Sequence, residues 1–112
     1  MKKIEAIIKP FKVDEVKRAL QKIGVTGMTL SNVKGFGNAR DDKEHHRGGE
    51  YFTEFVPKIK LEIVSSDRDA EQIMRAIIES ARTGSFGDGK IFISDLGEAV
   101  RVRTGESGDP AV

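Results

Sequence analysis

Residues 56–81 read VPKIKLEIVSSDRDAEQIMRAIIESA, and the hydrophobic period changes in the middle of them. Over Val56–Val64, Ile59, Leu61 and Ile63 alternate with Lys58, Lys60 and Glu62. A period of two puts the apolar side chains on one face of a strand and the charges on the other. Further on, Ala70, Ile73, Met74, Ile77, Ile78 and Ala81 fall on one helical stripe. Ser66, with Asp69 three residues later, suits the start of that helix as a weak capping box. A one-faced strand followed at once by a one-faced helix is a unit of a layered domain.

The same order precedes it. In residues 2–9, Ile4, Ala6 and Ile8 lie on one side, with Lys3, Glu5, Ile7 and Lys9 on the other. Ile7 on the second side suggests that this face is also partly covered. Pro10 ends the ladder. In Phe11–Ile23, Val13, Val16, Leu20 and Ile23 form a helical stripe, and Gly24 stops it. Val25–Lys34 reads as a strand, and Lys90–Ser94 as a short last one. The predicted order is β-α-β-β-α-β, the ferredoxin-like α+β pattern: an antiparallel four-stranded sheet with two helices on one face. The second and third strands form a hairpin whose tip is a long loop at about 36–55. Periodicity does not decide between helix and strand for Leu96–Arg103, and the tail at about 104–112 reads as loose.

The totals fit one domain spanning 1–112. Net charge is +1 with mixed signs, so no global field favours nucleic acid or a membrane surface. Without cysteine, disulfides and thiolate metal sites are excluded. MKKIEAIIKP lacks the features of a signal peptide, and no apolar run reaches membrane-spanning length, so a cytoplasmic protein is expected.

The strongest chemical signal is Gly84–Lys90, GSFGDGK, which fits the body of a phosphate-binding loop. Ile91 follows where a magnesium-holding Ser or Thr belongs, and the loop leaves a helix and enters a strand, the reverse of an NTPase loop. Two readings stay open: an anion nest of backbone N–H groups with Lys90 adding charge, or a glycine-rich turn closing a helix. Arg101 and Arg103, at i and i+2, project to the same side if their segment is extended. Arginine suits bidentate phosphate recognition, so with the glycine nest they make a candidate polyphosphate clamp. The alternative is two solvated surface arginines.

The long loop belongs to KGFGNARDDKEHHRGGEYFTEFVP, residues 34–57, which holds His45, His46 and the sole tyrosine, Tyr51. Adjacent histidines in a strand point opposite ways, and zinc wants three or four convergent ligands. His45–His46 with Asp42 and Glu44 is therefore read as exposed loop rather than as a metal site. No catalytic residues can be argued from spacing. The arginine–asparagine pair of an acylphosphatase-type hydrolase is not found, and VPKIKLEIV lacks the aromatics of an RNA-recognition strand.

Several of these segments, in this order, resemble the PII signal-transduction family of nitrogen regulation: MKKIEAIIKPFKVDEV, VKGFG, RGGEY, FVPKIKLEIV, RTGSFGDGKIF and RVRTGE. The resemblance covers nearly the whole chain. It implies a non-enzymatic homotrimer with ATP and ADP competing in clefts between subunits. The adenine side would involve Thr29, Gly35, Glu62 and Val64, with Phe36 and Gly37 nearby. The phosphates would be held by Gly87, Asp88, Gly89 and Lys90, with Arg101 and Arg103 reaching in. The long loop would be the family's T-loop, docking onto an ammonium channel, an adenylyltransferase or a sensor kinase, and meeting a membrane only through a channel partner. Arg47 is similar to the loop arginine that plugs a channel pore, and Tyr51 to the tyrosine that is uridylylated.

The departures from the family pattern cluster at the loop. Lys58, with Gly37, matches the position that contacts 2-oxoglutarate. Many members carry a glutamine where Ala39 stands, and its oxygen helps hold the magnesium that, with ATP, chelates 2-oxoglutarate. Alanine has no oxygen to give. Asp41 stands for a usual glycine, His46 for a tyrosine, and Gly49 for a small Ala or Ser. Asp41 or Asp42 could offer magnesium an oxygen, but the added negative charge would oppose a dicarboxylate. A weak 2-oxoglutarate response is expected. The alternative is a PII-like paralogue that senses another small anion or regulates a transporter other than an ammonium channel.

Overall fold

In the computed structural model, which describes residues 1–37, 46–47, 50–51 and 54–112, the two changes of period become two strand–helix units. β1 (Lys2–Ile8) leads through a 3-10 turn at Pro10–Lys12 into α1 (Val13–Lys22). β2 (Thr29–Gly35) and β5 (Val56–Ser65) form the hairpin, followed by α2 (Asp67–Ala81) and β6 (Gly89–Asp95). The sheet order is β2-β5-β1-β6, every neighbour antiparallel. This is the predicted ferredoxin-like arrangement.

The alternation in β1 and β5 builds the core. Ile4 lies opposite Ile63 on one side and Ile93 on the other, and Leu61 lies between Ala6 and Leu30. Ile4, Ala6, Leu61 and Ile63 are buried together with Val16 and Leu20 of α1 and Ile73 and Ile77 of α2. Each fully buried Leu or Ile is worth about 1.5–3 kcal/mol in apolar surface removed from water. The core is aliphatic, while Phe11, Phe36, Phe55, Phe86 and Phe92 are all exposed. The other sheet face carries no helix. There Lys3 sits 3.1 Å from both Glu5 and Glu62, and Lys60 sits 3.7 Å from Glu62.

Some expectations change. β2 starts at Thr29 rather than Val25. Val25–Met28 serve instead to carry the chain off α1: Val25 N–H donates to the Leu20 carbonyl at 3.0 Å, and Val25 and Met28 pack against the core. Their apolar character was satisfied by packing rather than by a ladder. Ser66 takes the extended N-cap backbone, but its hydroxyl makes no cap bond and is buried without a partner. The Asp69 N–H is satisfied by the Ser66 carbonyl at 3.2 Å, and Asp67 in the first turn holds the N-terminal ammonium at 2.9 Å.

Leu96–Arg103 is neither helix nor strand beyond one bridge, Val100 to Ser107. It belongs to a compact turn: Arg101 N–H donates to the Glu106 carbonyl at 2.8 Å, and Gly108 N–H to the Ala99 carbonyl at 3.0 Å and to Glu98 at 3.2 Å. The segment expected to be loose is tied back by these bonds, and Asp109–Ala111 forms a 3-10 turn. The long loop also contains a two-residue ladder, β3 (His46–Arg47) against β4 (Glu50–Tyr51). Ala39, Asp41, Asp42, Glu44, His45 and Gly49 lie outside the described residues.

Gly89, the first residue of β6, has φ +108°, and a Cβ there would lie 1.7 Å from the Ile7 carbonyl oxygen. Gly84 also has positive φ (+86°), with nothing within 4 Å of its Cβ position. Gly89→Ala is expected to lose about 3 kcal/mol or more, and Gly84→Ala only the backbone part of about 1–2 kcal/mol. Denaturant unfolding of both variants measures the difference; equal losses would contradict the close approach of β1 and β6.

Candidate functional site

The antiparallel register sorts the predicted site residues to two ends of the sheet. Thr29 pairs with Glu62 at one end of β2, and Gly35 pairs with Val56 at the other. At about 3.3 Å per residue, the length of β2 separates these ends by roughly 20 Å. With Thr29 and Glu62 lies Val64, next to the turn carrying Arg101. With Gly35 lie Phe36, Gly37, Lys58 and the Gly87–Lys90 loop. A single chain therefore does not bring the arginines to the glycine loop. Gly35, grouped with Thr29 by the resemblance, sits at the opposite end of β2.

At the first end, a cavity of ≈ 840 Å³ is lined by Gly27, Val64, Ser66, Asp67 and Arg101 among others. Arg101 and Arg103 are not in a strand, as their spacing suggested, but in the C-terminal turn, where Val102 is fully exposed. Glu62 stands on the helix-free face with Lys3 and Lys60. The hydrogen bond from Lys3 is the main cause that lowers its pKa, against the opposing effect of burial.

At the second end, the glycine loop is closed by its own carboxylate. The Thr83 and Gly84 N–H groups donate to Asp88 Oδ2 at 2.9 and 3.0 Å, and the Thr83 hydroxyl donates to Asp88 Oδ1. Lys9 Nζ, brought over by the β1–β6 pairing of Ile8 with Gly89, lies 3.3 Å from Asp88 Oδ1. It also donates to Ser85 Oγ at 3.2 Å and to Thr83 Oγ1 at 3.4 Å. The turn reading of this segment holds for Thr83–Asp88, which closes α2 around an internal anion. Burial works against the charge on Asp88, but Thr83, Gly84 and Lys9 outweigh it and lower its pKa from 3.8 to about 2.

Lys58 Nζ donates to the Gly87 carbonyl at 2.8 Å, joining the loop base to the glycine loop. Beside it, a cleft of ≈ 640 Å³ runs between Lys9, Phe11, Val56, Lys58, Phe86 and Gly87. Phe36 and Phe55, just beyond the last β2–β5 pair, meet edge to face with ring centres 4.8 Å apart at 86°. Arg47 and Tyr51 lie on the two arms of the β3–β4 ladder. Among the described residues, no group of three or more His, Cys, Asp or Glu could hold a metal ion, and no helix is long and apolar enough to cross a membrane. Sequence reading missed Lys9 and Thr83. No local pattern links residue 9 to residues 83–88, and only the strand pairing joins them.

The family model described as "Nitrogen regulatory protein P-II" matches residues 1–106. The chain is similar to the Nitrogen regulatory protein P-II of Rhizobium meliloti (strain 1021), 54% identical over 112 residues, and to that of Bradyrhizobium diazoefficiens, 55% identical over 112 residues. Both alignments cover 100% of each chain. It is also similar to a crystal structure of Arabidopsis thaliana PII bound to citrate. That match has TM-score 0.82 and 42% identity, over 99% of this chain and 91% of the other.

Because the folded-state pKa of Asp88 is depressed, its ionised form stabilises the loop above the ordinary carboxylate range. That stabilisation is lost as pH falls from near 3.8 toward about 2. The Thr83 and Gly84 amide signals are expected to shift together over this range in an NMR titration, and Asp88→Asn should abolish the step. A step near pH 3.8 or above would contradict the hydrogen-bonded carboxylate.

Proposed function

The chain belongs to the nitrogen regulatory P-II family, and from that membership we propose a non-enzymatic, cytoplasmic sensor of adenine nucleotides, built as one domain. The observation that carries this reading is the separation of two half-sites at opposite ends of one sheet. A head-to-tail contact places one end of a chain against the other end of the next, and such a contact closes into a ring when its rotation allows. A homotrimer is the ring proposed. Thr29, Glu62, Val64, Arg101 and Arg103 of one copy would face Gly35, Phe36, Gly37, Gly87, Gly89 and Lys90 of its neighbour. ATP and ADP would compete in that cleft, with magnesium accompanying ATP.

Signalling follows from where the phosphates would sit. Lys90 and Gly87 adjoin the base of the long loop through the Lys58 bond to the Gly87 carbonyl. Two nucleotides can redistribute loop conformations only if they interact differently with that base. The terminal phosphate of ATP supplies the difference. The long loop is then the T-loop, presenting Arg47 to an ammonium channel or to a nitrogen-regulatory enzyme or kinase, and Tyr51 to uridylylation. The charge balance gives no support to nucleic-acid binding.

A second reading concerns the effector. Lys58 and Gly37 are retained for 2-oxoglutarate, but Ala39 offers magnesium no oxygen. That favours weak 2-oxoglutarate binding, and leaves room for another small anion or a different transporter. The citrate of the Arabidopsis relative supports a carboxylate as the class of effector.

Lys90→Ala and Arg103→Ala are each expected to weaken ATP binding at least about tenfold, the scale of one lost charge-assisted contact. Calorimetry showing unchanged affinity in both would remove them from the phosphate site. In the presence of ATP and magnesium, 2-oxoglutarate should bind weakly, and Ala39→Gln should strengthen it by about tenfold. Tight binding by the unmodified protein would overturn the assignment to Ala39.

A further inference from the structure

We propose that Thr83, Asp88 and Lys9 form a brace that holds the Gly87–Lys90 segment in its ligand-ready shape; this rests on the phosphate site proposed above. Asp88 lies inside the segment that would meet phosphate. A carboxylate facing an incoming phosphate would repel it, since like charges disfavour each other's ionised forms. The geometry turns this charge away. Both Asp88 oxygens are committed, Oδ2 to the Thr83 and Gly84 N–H groups at 2.9 and 3.0 Å, and Oδ1 to the Thr83 hydroxyl and the Lys9 ammonium. Asp88 is therefore a positioning residue and not a phosphate contact.

Lys9, Lys58 and Lys90, the lysines nearest the glycine loop, divide the work. Lys9 is committed to Asp88, Ser85 and Thr83. Lys58 is committed to the Gly87 carbonyl at 2.8 Å. The Lys90 side chain has no hydrogen-bond or ion-pair partner among the described residues and is open to a ligand. The brace ties together the end of β1, the end of α2 and the start of β6. It spans a glycine-rich loop that would otherwise be ordered only when ligand binds, at about 1–2 kcal/mol per residue. Ordering the loop in advance leaves more of the interaction energy for affinity.

Thr83→Val removes the hydroxyl and keeps the shape, while Thr83→Ser keeps the hydroxyl. Lys9→Gln removes the ammonium without touching the loop. Calorimetry with ATP on the full chain should give dissociation constants about tenfold higher for Thr83→Val and Lys9→Gln, and within about twofold of the unmodified protein for Thr83→Ser. The double variant should lose little more than either single one, because both act through one carboxylate. Melting temperatures report folding separately. ATP affinity unchanged in folded Lys9→Gln or Thr83→Val overturns the brace alone, as does an equal loss in Thr83→Ser. No ATP binding by the unmodified protein overturns both the brace and the nucleotide site.

Discussion

The register of β5 between β1 and β2 is the constraint on which the rest of the structure depends. Leu61 sits between Ala6 and Leu30, so Ile59, Leu61 and Ile63 all face the helices. A slip of one residue would turn Lys58, Lys60 and Glu62 into that core and the isoleucines out of it. The cost of burying three charges rules such a slip out. The same register sets Glu62 beside Thr29, and Val56 beside Gly35. It thereby places the two sets of candidate site residues at opposite ends of the sheet.

Electrostatics then differentiates those ends. On the helix-free face, Lys3, Glu5, Lys60 and Glu62 neutralise one another, and Lys3 is held above the ordinary lysine value by its hydrogen bonds to Glu5 and Glu62. At the long-loop end, the negative charge of Asp88 is absorbed within its own turn, and the Lys90 side chain has no hydrogen-bond or ion-pair partner among the described residues. Lys58 ties the hairpin to the glycine loop through its bond to the Gly87 carbonyl.

The fold was legible because its signals are local. Periods of two and 3.6 identify β1, β5, α1 and α2 and nearly all the core. What escaped detection depends on contacts between distant residues. Val25 and Met28 look like strand residues because a core-packing connection and a strand need the same apolar side chains. Ser66 looks like a cap because its type is right, but its hydroxyl is buried where no donor comes within reach. Arg101 and Arg103 have strand-like spacing, yet the bonds that the Glu106 carbonyl and the Glu98 carboxylate accept fold their segment into a turn. Lys9 and Thr83 gave no signal, since their partnership with Asp88 exists only once Ile8 lies opposite Gly89. Family resemblance named candidate phosphate residues, and the geometry places Arg101 and the Gly87–Lys90 loop at opposite ends of one chain.

That a nucleotide site is shared between copies is the central claim, and mixed oligomers test it most directly. Lys90→Ala and Arg103→Ala chains, each deficient in ATP binding, would be unfolded together and reassembled. If the two residues come from different copies, some clefts in the mixture recover both side chains, and calorimetry should find a fraction of sites with full affinity. If both residues serve a site within one chain, every cleft stays defective and the mixture binds no better than its parents. Recovery supports the shared cleft; its absence in properly reassembled mixtures contradicts it.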